Sequence, residues 1–353
     1  NLTLFIQKTY SKKSKKILAN LPQSMQIHQL QIQNEKKQNQ KKTKIQSQQK
    51  IEEDPDFLRQ QSIFRKKSQE ISKYAYIVNS STQKMNKTPL MIAVQYGNTE
   101  IVSFLIKQKL INLNLKDIVG RTALHITCIH GFTEIARILL HKKGIVVNEP
   151  SSEGMTSLHY ACMKGHPEIV SLLLKFQNNE QNDDKKFNVD VNVQTPWTLE
   201  APIHLTGSAA VLNVLIEEGQ NLNLNATNRN GMSALHIACK SMNHDVASIL
   251  IKKGQADISP EKWTSAVEVN LQDKSGKTPL HYACLNSDFD VVKSLLQING
   301  IKINLADNDG ITPIRAACFN PDHNLIDLLM ARQDLILREE DKEIVEKAKE
   351  IKV

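Results

Sequence analysis

The sequence is poor in the features on which catalytic and secreted proteins rely. Its five cysteines are odd in number and form no Cys-x-x-Cys pair, which excludes a disulfide framework and argues for a reducing compartment. It contains no Gly-rich phosphate loop, no Walker motif, no His-Glu-x-x-His and no recurring grouping of nucleophile, base and orienting acid, so neither an enzyme activity nor a cofactor nor a metal is expected. No apolar run approaches the length needed to cross a bilayer. Residues 1–50 lack Arg, which places a mitochondrial presequence second to other readings of the N terminus.

What the chain has is repetition. A tetrapeptide close to Thr-Pro-Leu-His returns seven times, as Thr88–Met91, Thr122–His125, Thr156–His159, Ala201–His204, Ser233–His236, Thr278–His281 and Thr312–Arg315, at intervals of 34, 34, 45, 32, 45 and 34 residues. All but Ala201 open with Thr or Ser, whose hydroxyl accepts a hydrogen bond from a free amide in the first helical turn. Pro89, Pro202, Pro279 and Pro313 follow, at the position where a missing N–H is harmless. Two residues before the hydroxyl stand Gly120, Gly154, Gly231, Gly276 and Gly310, as a tight turn requires. Seventeen residues after it come Leu105, Leu139, Leu173, Leu250, Leu295 and Leu329, inside apolar runs that read as a second helix burying one face. Each repeat is thus predicted to be turn, helix, turn, helix. Helix pairs this short cannot bury their own apolar stripe, so stacking of successive repeats must supply the core.

In period and motif, residues 86–334 resemble the ankyrin-repeat family. The resemblance implies an all-α ankyrin-repeat solenoid of about seven helix-turn-helix repeats, and a protein that binds rather than catalyses. It implies that His125, His159, His204, His236 and His281 bridge backbone groups of adjacent repeats as neutral imidazoles. Cys128, Cys162, Cys239, Cys284 and Cys318 occupy a position where the family usually has Ala; they read as small core residues, one per layer, unable to converge on a metal. The resemblance further implies partner contacts along one concave face, from the turn tips before the tetrapeptide and from positions late in the first helix. Carried over by position, this groove comprises Tyr96, Ile118, Val119, Arg121, Ile129, His130, Met155, Met163, Lys164, Trp197, Arg229, Met232, Lys240, Lys274, Lys277, Leu285, Ile311 and Phe319. Such a mixture of aliphatic, aromatic and basic side chains suits a protein partner; a nucleic-acid surface would carry more Lys and Arg.

Outside the repeats, residues 1–55 form a Lys/Gln/Asn-rich extended arm whose basic residues include Lys8, Lys12, Lys13, Lys15, Lys16, Lys36, Lys37, Lys41, Lys42 and Lys44. Residues 1–50 carry a net +10 against +8 for the whole chain, leaving the remainder nearly neutral. The arm reads either as an electrostatic tether for an acidic filament, RNA or anionic lipid, or as coding bias toward Lys and Gln. Residues 56–85 are expected to form an N-terminal capping helix and linker, and residues 335–353 a C-terminal charged helix with acid early and base late, as the helix dipole favours. Insertions fall near residues 176–188 and 255–269; Trp263 in the second is expected to fold back onto the stack. The fourth repeat, with Pro196-Trp197 and no Gly at its turn, reads as degenerate.

The expected function is a non-enzymatic scaffold or adaptor subunit of a larger eukaryotic assembly, cytoplasmic and cytoskeletal or ciliary in setting. Its groove would hold a protein segment and its arm an acidic neighbour. One alternative is a ribonucleoprotein subunit, as in an organellar ribosome, with the arm on RNA; another is the regulatory ankyrin fragment of a larger enzyme or channel.

Overall fold

The computed structural model describes residues 78–108, 110–176, 189–255, 266–320 and 322–350. The basic arm, most of the expected capping helix and insertions, and Trp263 lie outside these residues. Among the described residues there is no strand, and the α-helices follow in pairs. These are α1 (Pro89–Gln95) with α2 (Thr99–Ile106), α3 (Ala123–His130) with α4 (Thr133–Leu140), and α5 (Ser157–Lys164) with α6 (Pro167–Phe176). The fourth repeat has only a 3-10 turn, Pro202–Leu205, before α7 (Ala209–Glu218). Then come α8 (Ala234–Lys240) with α9 (His244–Gln255), α10 (Pro279–Leu285) with α11 (Phe289–Leu296), α12 (Pro313–Ala317) with α13 (His323–Met330), and the terminal α14 (Glu339–Glu350). The described residues divide into two compact units, one up to Tyr160 together with Phe176 and Val189, the other Ala161–Lys175 together with the residues from Asp190 onward.

Inner helices of this length are too short to persist alone in water. Their ends are therefore fixed chemically: Thr88 Oγ1 accepts the Met91 amide at 3.3 Å and Thr278 Oγ1 the His281 amide at 3.4 Å. The outer helices begin on Asn98 or Asp288, whose side chains accept the amides of Ile101 and Val291. Packing supplies the rest. Leu90 and Leu124 in the first compact unit and Leu212, Leu250, Leu280 and Leu295 in the second are all but inaccessible to water, each such burial being worth about 1.5–3 kcal/mol. Leu139, Leu173 and Leu329 are equally buried, whereas Leu105 is half-buried.

The turn before each inner helix is a protruding finger held by an acceptor at its base. Asp273 Oδ1 takes the amides of Ser275 and Lys277 at 2.9 Å each, and Asp307 Oδ1 those of Asp309 and Ile311 at 3.0 and 2.8 Å. Consecutive fingers are joined: the Lys274 amide donates to Asn230 O and the Asn308 amide to Ser275 O, both at 2.9 Å, and in the first compact unit the Ser152 amide donates to Val119 O at 3.1 Å. This contact leaves no room for a side chain at Gly276, where φ is +79° and a Cβ would lie 2.6 Å from Asn308 Oδ1 and 2.7 Å from its amide nitrogen.

Behind the helices runs a second ladder, of asparagines. Asn270 Nδ2 donates to Gly300 O at 2.9 Å while its Oδ1 accepts the Lys302 amide at 2.8 Å. The same two-point bridge joins Asn79 to residues 110 and 112, Asn114 to 144 and 146, Asn192 to 221 and 223, Asn225 to 266 and 268, and Asn304 to 334 and 336. The Asn225 bridge places residues 266–269 in this turn, so the second insertion ends earlier than the sequence suggests.

In the fourth repeat Leu199 occupies the finger slot that Gly fills elsewhere and adopts φ +53°. The hydroxyl of Thr206 donates to Ile203 O at 2.7 Å, closing the 3-10 turn where other repeats continue as α-helix. At the C-terminal end, α14 starts at Glu339 rather than at residue 335, because the segment before it serves the Asn304 bridge. Its Asp341 is buried, accepting the Thr312 hydroxyl at 3.2 Å, and Lys349 pairs with Asp327 at 2.8 Å. Val345 and Ala348 bury its apolar face.

Two substitutions separate backbone strain from finger packing. Gly310 has φ +77° but nothing within 4 Å of a would-be Cβ, so Gly310→Ala should cost about 1–2 kcal/mol, the price of a left-handed residue. Gly276→Ala should cost roughly 1 kcal/mol more, because it also breaks the finger contact; equal losses in urea titrations would refute the packing contribution. Leu199→Gly should stabilise by up to about 1 kcal/mol, read as a rise in thermal midpoint, and a fall would show that Leu199 is not strained.

Candidate functional site

The residues most suggestive of chemistry are the histidines, and their geometry is structural. The Thr122 amide donates to His125 Nδ1 at 3.0 Å, so the proton sits on Nε2, which donates to Met155 O of the next repeat at 3.2 Å. The same arrangement carries His204 to Ala226 O at 2.8 Å, His236 to Lys277 O at 3.1 Å and His281 to Ile311 O at 3.1 Å. Ala201 lacks a hydroxyl, yet its amide still donates to His204 Nδ1 at 2.9 Å. Burial holds the His125 pKa down to about 4 and also lowers those of His204, His236 and His281, overcoming the bonds to carbonyls that would raise them. His159 begins in the same way, with the Thr156 amide 3.1 Å from its Nδ1. None of the five cysteines is in a disulfide; Cys128, Cys162, Cys239 and Cys284 are buried, Cys318 is half-buried, and burial pushes the Cys318 thiol up to about 11. Among the described residues no three His, Cys, Asp or Glu side chains are placed to hold a metal ion.

The exposed candidates lie on the fingers and at the ends of the inner helices. Lys87 Nζ reaches Gln95 Oε1 at 2.7 Å, so the position just before the opening hydroxyl and the position late in the inner helix stand side by side. In the first compact unit Tyr96, Ile118 and Val119 are exposed, Ile118 at 62%, and Ile129 and Met155 are half-buried. Arg121 is half-buried and paired with Asp117 at 2.9 Å. His130 is exposed and stacks on Phe132 with ring centroids 5.5 Å apart.

In the second compact unit Trp197 is 68% exposed and Phe319 62%; Met163, Lys164, Arg229, Lys240 and Lys274 are exposed too, while Lys277, Leu285 and Ile311 are half-buried. Met232 is the correction: at 4% exposure it belongs to the core, its flexible side chain having folded inward where longer cations at the equivalent place reach out. The structure brings Arg229 to Trp197, whose carbonyl accepts from Nη1 at 3.2 Å, and places Lys240 Nζ 5.6 Å from the Tyr282 ring centroid. Tyr282 escaped the sequence reading. It follows His281 on the inner helix and donates its hydroxyl to Asp273 Oδ2 at 2.7 Å, tying helix to finger; Tyr160 does the same to Ser151 at 3.2 Å. The recurring His-Tyr pair was the available signal. Burial and the neighbouring Asp273 carboxylate push the Tyr282 pKa up to about 12. For Asp273 burial opposes ionisation, but the bonds from Tyr282, Ser275 and the backbone outweigh it and hold the carboxyl below its usual value.

The sequence matches the family model described as ankyrin repeats (3 copies) in overlapping segments, residues 63–151, 108–186, 185–262, 201–307 and 261–339. No curated protein matches it. Among solved structures, the human ASB11 ankyrin repeat domain is 24% identical, with 71% of this chain and all (100%) of that one covered at a TM-score of 0.53, a likeness of fold. The ankyrin repeat domain of Bcl-3, described as a unique member of the IkappaB protein family, is 22% identical, with 67% and 90% covered at a TM-score of 0.48.

The histidine ladder sets a pH dependence. Because these pKa values are lower folded than unfolded, stability is fully present above about 6.5 and declines as pH falls toward about 4. The His125 shift alone corresponds to roughly 3 kcal/mol. Asp273 and Asp307, held below the ordinary carboxylate value of 3.8, add their loss only at lower pH. Urea midpoints should therefore drop steadily between pH 7 and pH 4.5; a flat profile would show that the imidazoles are not buried in neutral form.

Proposed function

The chain belongs to the ankyrin-repeat family, a protein-interaction fold, and from that membership we propose that it is a non-enzymatic scaffold or adaptor subunit of a larger assembly. In each compact unit, fingers and inner-helix ends form the surface that grips a protein segment. The observation that carries this reading is the exposure of two large aromatic side chains, Trp197 and Phe319, since exposed aromatics at a surface of mixed charge are the usual anchors of an interface. Cysteines outside any disulfide suit a reducing compartment, and a cytoplasmic assembly, cytoskeletal or ciliary, is the setting we propose. Among the described residues no helix is long and apolar enough to cross a membrane.

Residues 1–50, with their net +10, act in this proposal as a tether to an acidic neighbour. Extended, such a segment reaches about 165 Å, enough to anchor far from the repeats. The same lysines favour a second reading, a ribonucleoprotein subunit with the arm on RNA.

Cross-linking mass spectrometry on the native assembly tests both sites at once. Cross-links from Lys240 and Lys274 should reach a partner protein, and Trp197→Ala combined with Phe319→Ala should weaken association by about tenfold or more. Removal of residues 1–50 should abolish a separate, steeply salt-dependent attachment. Association that survives the double substitution unchanged would overturn the groove, and association indifferent to loss of residues 1–50 would overturn the tether.

A further inference from the structure

Resting on the groove reading, we infer that the strip of the second compact unit takes an acidic peptide segment in extended form, with apolar residues at its two ends. Two successive repeats present three cations, Arg229 and Lys240 on the fifth and Lys274 on the sixth, all exposed. None of these makes an ion pair among the described residues: Arg229 is satisfied by the Trp197 carbonyl, Lys240 lies against the Tyr282 ring, and Lys274 is engaged through its backbone.

The anions that would neutralise them are turned inward. Asp273 is buried and its carboxylate is occupied by the amides of Ser275 and Lys277 and the hydroxyls of Ser275 and Tyr282. Asp307 is buried beneath Lys277 Nζ at 2.7 Å and takes two finger amides. Glu200 is half-buried and accepts the Thr198 hydroxyl. The outward face of these fingers is therefore positive although the fingers themselves contain carboxylates. Asp309, exposed on the last finger, bounds the positive stretch and places the partner's acidic residues over the fifth and sixth repeats.

Trp197 and Phe319 stand on the fourth and seventh repeats, outside the cations on either side. Three layer steps of about 8–10 Å separate them, a span that about eight to ten extended residues cover at roughly 3.3 Å each. The occupant is thus short, anionic in its middle and apolar at its ends. Nucleic acid fits less well, because three cations, followed by Leu285 and Ile311, would neutralise few phosphates.

The test uses the full chain and fluorescein-labelled decapeptides with Leu at both ends and eight Glu, eight Gln or eight Lys between, with decauridylate as a fourth probe, read by anisotropy. The Glu peptide should bind at least about tenfold more tightly than the Gln peptide at ~50 mM salt and weaken several-fold at ~200 mM. Combined Arg229→Glu, Lys240→Glu and Lys274→Glu should remove that preference with the helical circular dichroism unchanged; these side chains are exposed, so folding should tolerate them. The inference is overturned if the Gln peptide binds equally, if the charge-reversed protein still prefers Glu, or if decauridylate binds more tightly with the same sensitivity. Should the acidic preference be absent while the native partner still cross-links to this strip, the groove stands and only the acidic occupant is lost. Loss of both would remove the groove as well.

Discussion

In the second, fourth, fifth and sixth repeats one neutral imidazole fixes how that repeat meets the next. Its Nδ1 receives the amide that starts its own helix, and its Nε2–H is delivered to a carbonyl of the following repeat, as from His281 to Ile311 at 3.1 Å. Each such bond is worth only about 1 kcal/mol net, less than the burial of one leucine beside it. The leucines hold the layers together without caring about register, since apolar contact has no direction. The histidines choose the register, because a slip would leave a buried donor and acceptor unpaired. The ladder ends where its requirement ends. Met91 stands in its place in the first repeat, and Arg315 in the last lies 3.6 Å from Glu340 and 3.8 Å from Asp341 of the terminal helix.

The asparagine ladder and the finger-to-finger bonds repeat this logic on either side of the helices. Within each compact unit, three sets of bridges thus join successive layers, from histidines, asparagines and finger amides. The finger aspartates serve the same end, and their inward commitment decides the electrostatics of the surface. A carboxylate occupied by amides and hydroxyls contributes little field outside, so neighbouring lysines and arginine set the sign.

Much of the fold was legible because its determinants are local and recur at fixed offsets. The hydroxyls, prolines, histidines and cysteines, in the repeats that carry them, could be aligned by counting, and they stand at helix starts and along the core. The asparagines recur almost as regularly, yet they sit in turns beside Asn112 and Asn223, and nothing in composition distinguishes the bridging one. Tyr282 was hidden for another reason: an aromatic next to a core histidine reads as packing until its hydroxyl is seen on Asp273. Met232 was misplaced because offset alone does not say which way a flexible side chain turns. The candidate surface was legible by analogy of position rather than by chemistry, and the inward turn of Asp273 and Asp307 could not be read from their neighbours in sequence.

The Asn225 and His236 bridges each span 41 positions, against 30 for their counterparts at Asn270 and His281, and their bond lengths are nearly the same. The extra chain between them therefore leaves the join between layers unchanged, and lengthening a closed loop is penalised only logarithmically. The second insertion is in this sense a neutral port in the architecture. An epitope tag or a fluorescent reporter grafted there would travel with the protein without loosening the layers on either side.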